Sequence, residues 1–185
     1  LTAQPHINLI SFGHFRIDFL ERVAVVIRTE FDYQVNIREG HLDLSDFYDA
    51  SRRQYNGNTL LKVVDTRFAS DSFKTLGLFS IDLFIPILTY IYGQAMLGGR
   101  TGIASHYRLS NERYGMARDE GILLERFCKE VVHELGHLFG LVHCHYPACV
   151  MRSSTYVEDI DQKDRHLCER CHTQFHAFIQ EQQTP

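Results

Sequence analysis

No stretch of the 185 residues approaches the roughly 18 consecutive apolar residues that a membrane-spanning helix needs. Internal repeats, low-complexity tracts and Pro- or Ser-rich linkers are also missing, so the chain has no good place to be cut in two. A basic excess is missing too. Lys and Arg number 19 against 23 Asp and Glu, a formal charge of −4, and the cations are scattered. That removes the electrostatic footprint of a nucleic-acid binder. No signal peptide is evident, which leaves an oxidising compartment unsupported and favours the cytoplasm, although the chain lacks an initiator methionine and its start is open to trimming. What remains is 44% hydrophobic residues in a length that can bury one substantial core. A single domain over residues 1–185, without membrane or nucleic-acid partner and monomeric, is the expectation.

Against these absences stands one dense stretch, from His133-Glu134 through Gly136-His137 and Gly140 to His143. On a helix His133 and His137 lie only about 40° apart, so both imidazoles face one ion. Glu134 falls about 60° beyond His137, where it reaches a metal-bound water without ligating the metal. Gly140 tolerates the left-handed backbone that ends a helix, and His143 can then return as third ligand. Three protein ligands leave zinc one open position, which is the arrangement of a catalytic site. With His and Glu at this abundance, HExxH arises by chance in roughly 4% of such chains, and adding Gly140 and His143 lowers that to the order of 10⁻⁴. Histidines that merely pack explain one of the three, not all.

The next residue opens a second pattern. Cys144 and Cys149 are four residues apart, Cys168 and Cys171 two, with eighteen between the pairs. Two short-spaced pairs read as a closed four-thiolate zinc site of structural type. Two disulfides or a redox pair are the alternatives, but no βαβ pattern surrounds Cys168–Cys171. His145, inside the first loop, could replace a cysteine. His166, His172 and His176 fit a solvated surface better than further ligands. Cys128, the fifth cysteine, reads as a buried free thiol rather than a nucleophile.

The coarse pattern alternates strand and helix. Strands are predicted at His6–Phe12, at 33–37, over 76–85 and 89–92 with Pro86 between them, and at 101–107. Helices are predicted at 16–30, weakly over 46–55, and at 59–68. A helix from about 119 to 139, N-capped by Asp119, turns Ile122, Leu123, Phe127, Val131 and Leu135 inward and presents His133 and His137 at a cleft. Leu138 and Phe139 read as packing residues. Glu158, Asp159, Asp161 and Asp164 read as an exposed loop. This order is α/β, a sheet leading into one central helix.

HExxHxxGxxH followed directly by Cys144, then Cys149, Met151 and a late CxxC, closely resembles the archaemetzincins, zinc-dependent metallopeptidases of the metzincin clan. Cysteine directly after the third histidine points to this branch. Arg53-Gln54-Tyr55-Asn56, Ser80-Ile81-Asp82-Leu83-Phe84 and Tyr92-Gly93-Gln94-Ala95 look like upstream family segments, so the likeness covers most of residues 5–180. The resemblance implies a metzincin-like compact domain with a twisted mixed sheet packed on the active-site helix. It also implies a Met-turn at Met151 underneath the metal, and a zinc-stapled part over about 140–180. Some metzincins add a tyrosine ligand two residues after the methionine; here that position is Ser153, so Tyr156 is not expected to ligate.

Together these residues imply two zinc ions per chain, one held by His133, His137 and His143 and one by Cys144, Cys149, Cys168 and Cys171. Glu134 would act as general base on a peptide or protein substrate. A zinc-bound scaffold with lost or narrow activity, and a cysteine-zinc module binding nucleic acid, are the competing readings.

Overall fold

In the computed structural model, which describes residues 5–69 and 73–183, the apolar run predicted as a strand is β1, His6–Phe12. Its side chains alternate between two separate cores. Ile7 and Leu9 face one, Ile10 and Phe12 the other, as a strand covered on both faces requires. β1 lies parallel between β2 (Gln34–Gly40) and β5 (Lys74–Phe79). β9 (Thr101–Ser105) continues the parallel sheet, and antiparallel β8 (Gly93–Ala95) closes it as an edge strand.

Helix α1, Ile17–Phe31, turns Leu20, Val23, Ala24, Ile27 and Phe31 into the first core. There it meets α3, Glu120–Leu138. The second core lies under α2, Gly57–Phe68, whose Leu60, Leu61 and Val64 pack on Phe79 and Ile103. Asn56 caps α2 by accepting from the amides of Asn58 and Thr59, so the helix begins two residues before the predicted start. Asp119 caps α3 as predicted, accepting from the Ile122 amide at 2.9 Å.

Several predictions fail locally. The weak helix over 46–55 is instead a short turn, Ser45–Phe47, and the paired strands β3 (Tyr48–Asp49) and β4 (Gln54–Asn56). Asp49 accepts from the amides of Ser51 and Arg52, and Arg53 sits at φ 57°; such local bonds compete with helix. The span 76–85 is two strands, β5 and β6 (Leu83–Ile85), and β7 is Leu88–Ile91. The strand predicted over 101–107 stops at Ser105. Ile122 is 39% exposed, not core.

Of the acidic run after Met151, Glu158, Asp159 and Asp161 lie not in a loop but in α4, Val157–Gln162, while Asp164 is exposed beyond it. The Asp159 carboxylate accepts from the amides of Thr155 and Tyr156 at 2.8 and 2.9 Å, while Val157 and Ile160 are buried one turn apart. A final helix α5, Glu169–Gln183, had no sequence prediction. The described residues form one mixed α/β domain, and the ends of the expected 1–185 unit lie outside them. No described helix is long and apolar enough to cross a membrane.

The buried ammonium of Lys74 donates to the carbonyls of Gly99 at 2.7 Å and Leu138 at 2.8 Å. Leu138 is the last residue of α3, so this cation satisfies a helix end that water cannot reach. Replacing Lys74 by methionine is expected to cost about 1–3 kcal/mol in urea unfolding, because the buried Leu138 carbonyl loses its donor. Burial pulls the ammonium down to about 8. Between about pH 8 and pH 10 the unfolded chain therefore binds more protons than the folded one, and the lysine's contribution to stability rises with pH. The gap between wild type and Lys74→Met should widen over that interval; a narrowing gap would contradict the assignment.

Candidate active site

α3 carries His133 and Glu134, both buried, and the half-buried His137 one turn on. The Nδ1 atom of His133 lies 2.8 Å from the Val150 carbonyl, and that of His137 lies 2.7 Å from the Leu141 carbonyl. A carbonyl only accepts, so each Nδ1 carries the proton and each Nε2 is a bare lone pair. The two Nε2 atoms stand 3.1 Å apart. Lone pairs at that separation repel unless a cation lies between them.

His143 completes the group. The candidate ligand atoms of the three histidines all lie within 4.8 Å of one another, and the ring centroids are 4.7–5.3 Å apart. Burial lowers the pKa of all three imidazoles, most strongly at His133, with the Lys163 ammonium adding to the effect. The neutral ring is the form a metal binds. Three neutral nitrogens aimed at one point fit zinc.

Two glycines permit this convergence. α3 ends where Gly140 adopts φ 78°, a left-handed conformation that lets the chain swing His143 back. At Gly136 a side chain would collide with the Met151 sulfur. Met151 is fully buried and packs directly under the two-histidine turn.

Glu134 is 5% exposed. Burial raises its carboxyl pKa well above the usual range, nearby Glu130 adds to the rise, and Lys163 opposes it. Glu130 and Lys163 form an ion pair at 3.2 Å with both side chains almost wholly buried. Neither stood out in the sequence, where a lone lysine in an acidic run looks like surface. A cavity of about 520 Å³ opens over the site, walled by β7 and β8 on one side, Glu134 and the histidines beneath, and residues 153–156 opposite. Tyr156 reaches this wall.

The four cysteines Cys144, Cys149, Cys168 and Cys171 also converge, with every sulfur within 4.8 Å of the others. Cys144 and Cys168 are 3.8 Å apart, Cys149 and Cys171 3.7 Å. A disulfide would need about 2.0 Å. A tetrahedral zinc with bonds of about 2.3 Å places its sulfurs about 3.8 Å apart, so the set fits that ion. Backbone amides of Tyr146 and Cys168 point at the Cys144 and Cys149 sulfurs, at 3.4 Å each. His145 lies outside the group. His166 instead meets Glu30 at 2.8 Å, while His172 and His176 face each other at 3.1 Å on the exposed side of α5. Leu138 and Phe139 are fully buried packing residues.

The profile of peptidase family M54 matches residues 19–177. The chain belongs to that family. Over 161 residues it is 41% identical to the archaemetzincin of Pyrococcus horikoshii, spanning 84% of each protein. Its fold superposes on the crystal structure of the Methanopyrus kandleri archaemetzincin with a TM-score of 0.84 at 28% identity, covering 97% of this chain and 99% of that one. The Archaeoglobus fulgidus archaemetzincin, crystallised with malonate, gives 0.75 at 32% identity over 91% and 99%. As an archaemetzincin-type M54 member, the chain is a zinc metallopeptidase, and its substrates are peptides.

Cys128 serves as an internal control for this archaemetzincin site. It is buried in α3 away from the cysteine group, and burial pushes its thiol up to about 12. Iodoacetamide at pH 8 should leave Cys128 unmodified in the folded protein and alkylate it in urea, as read by peptide mass spectrometry. Labelling of folded protein at the unfolded rate would show that the thiol is not sequestered.

Proposed function

We propose that this archaemetzincin hydrolyses peptide bonds at a zinc ion held by His133, His137 and His143, with Glu134 as general base. A second zinc, held by Cys144, Cys149, Cys168 and Cys171, is structural. The observation that carries the reading is the pair of bare Nε2 atoms, 3.1 Å apart, in the same cavity as a buried carboxylate. When bound, zinc supplies a Lewis acid with one open position, which makes a water acidic and polarises a carbonyl.

The remaining work falls to the chain's own groups. Val150 and Leu141 fix the two imidazoles by accepting from their Nδ1 atoms, as carbonyls behind metal-binding histidines commonly do. Glu134 takes the proton of the attacking water and returns it to the departing amine. Its burial raises the basicity of the carboxylate, which suits it to accept that proton. β8 is an edge strand along the cavity, so an extended peptide can pair with its free side. The thiolate group and the free Cys128 suit a reducing compartment, and a cytoplasmic monomer is the setting proposed.

The test uses a proteome-derived peptide library, with cleavage read by mass spectrometry and zinc by metal analysis. Wild type should cleave and hold two zinc ions per chain. Glu134→Gln should hold the same zinc and lose activity by at least about 10²–10⁴-fold, the scale of a general base. His137→Ala should lose the catalytic ion. Undiminished turnover in Glu134→Gln would rule out the mechanism, and wild type with zinc but no cleavage would leave a zinc-bound scaffold.

A further inference from the structure

Gly93 opens β8 and pairs with Ala104 of β9. A Cβ atom built on it would lie 2.6 Å from Oε1, 2.7 Å from Cγ and 2.8 Å from Cδ of Glu134. The bare backbone of the edge strand thus rests directly on the carboxylate. Gly93 is not among the glycines with positive φ, so its backbone conformation is open to any residue. Glycine inside a strand weakens it and commonly marks a close approach. Here only space requires glycine, and Glu134 occupies that space.

The strand is held in place, so it cannot retreat from the carboxylate. The Ser105 amide donates to the Tyr92 carbonyl at 2.7 Å, and the Met96 amide to the Thr101 carbonyl at 3.1 Å, holding the strand on both sides of Gly93. The Gly98 amide donates to the His137 carbonyl at 2.8 Å, which ties the turn after β8 to the catalytic helix itself. A side chain at position 93 must therefore be accommodated by the Glu134 side chain, which is buried and belongs to a helix fixed by its histidine contacts.

We propose that Gly93 is a positioning residue that sets the orientation of the Glu134 carboxylate, by pressing the edge strand's backbone against it. This rests on Glu134 as general base. A methyl group at position 93 points inward at the carboxylate, not toward the free edge of β8. It should therefore displace the base and leave peptide pairing intact, so kcat falls and KM does not.

The test is a double-mutant cycle on zinc-loaded protein: wild type, Gly93→Ala, Glu134→Ala and the double variant. In the wild-type background Gly93→Ala should lower kcat by about 100-fold, the effect of an ångström-scale misplacement, with KM and zinc content unchanged. Tm should fall by about 2–4 °C, the shift expected for a small packing loss in a chain of this size. In the Glu134→Ala background, where Cγ, Cδ and the carboxylate oxygens are gone, the same substitution should leave Tm unchanged. Equal Tm losses in both backgrounds, or kcat retained in Gly93→Ala, would overturn the proposal. Should Gly93→Ala fail to fold, the double variant must fold; if it does not, the strand itself needs glycine and the proposal falls. The thermal cycle needs no turnover, so a wild type that cleaves nothing would count against the hydrolytic reading alone.

Discussion

The chain reverses direction at Gly140, and the histidine and cysteine groups both hang from that reversal. The Gly140 amide donates to the His137 carbonyl, and the Leu141 amide to that of Gly136, which ends α3 within one turn of the second histidine. The Leu141 carbonyl then turns back to orient His137. Two residues on, His143 joins the imidazoles, and the following residue is already a member of the cysteine group. The Cys144 amide donates to the Met151 carbonyl at 2.9 Å. Met151 is thereby bonded to the cysteine loop while its sulfur lies under Gly136. No spacer separates one proposed metal site from the other.

The segment beyond Met151 places Ile160, Leu167 and Phe175 in the main core and is also held by polar contacts. Arg126 of α3 clasps Asp161 at 2.7 Å, and Lys129 donates to the Ile160 carbonyl. Lys163 joins Glu130 to the Arg152 carbonyl. Glu30 of α1 accepts from the Leu167 amide and meets His166, just before the second cysteine pair. The Lys163–Glu130 pair is buried on both sides; such a pair stabilises little in net terms, but removing one partner is costly. The effect of these contacts is to fix the wall of the cavity against the helix that carries His133, Glu134 and His137.

Much of this was legible in the residues because its signals are local. β1 emerges at its predicted bounds since an apolar run covered on both faces is unambiguous, and Asp119 starts α3 because an N-cap is read from one residue. The histidine and cysteine groups were visible as spacings. What stayed hidden depends on partners far along the chain. α4 looked like an acidic loop because its stability comes from Asp159 capping its own N-terminus and from Arg126, thirty-five residues away. Residues 46–55 lost their weak helical pattern to the turn built by Asp49. Glu130, Lys163 and Gly93 carry no motif at all. Their roles exist only where α3, β8 and the segment after Met151 meet.

His143 and Cys144 are adjacent, so the proposed cysteine site should order the third histidine and thereby couple the two proposed zinc sites. The direct measurement is a zinc titration of the histidine site in Cys168→Ser/Cys171→Ser, after circular dichroism has confirmed the folded state. The account predicts weaker binding at the histidine site than in wild type, by about 10-fold or more, the scale seen when supporting groups behind metal ligands are removed. A folded variant that binds zinc at the histidines with undiminished affinity would show that the cysteine cluster acts as a remote staple, and would contradict the coupling.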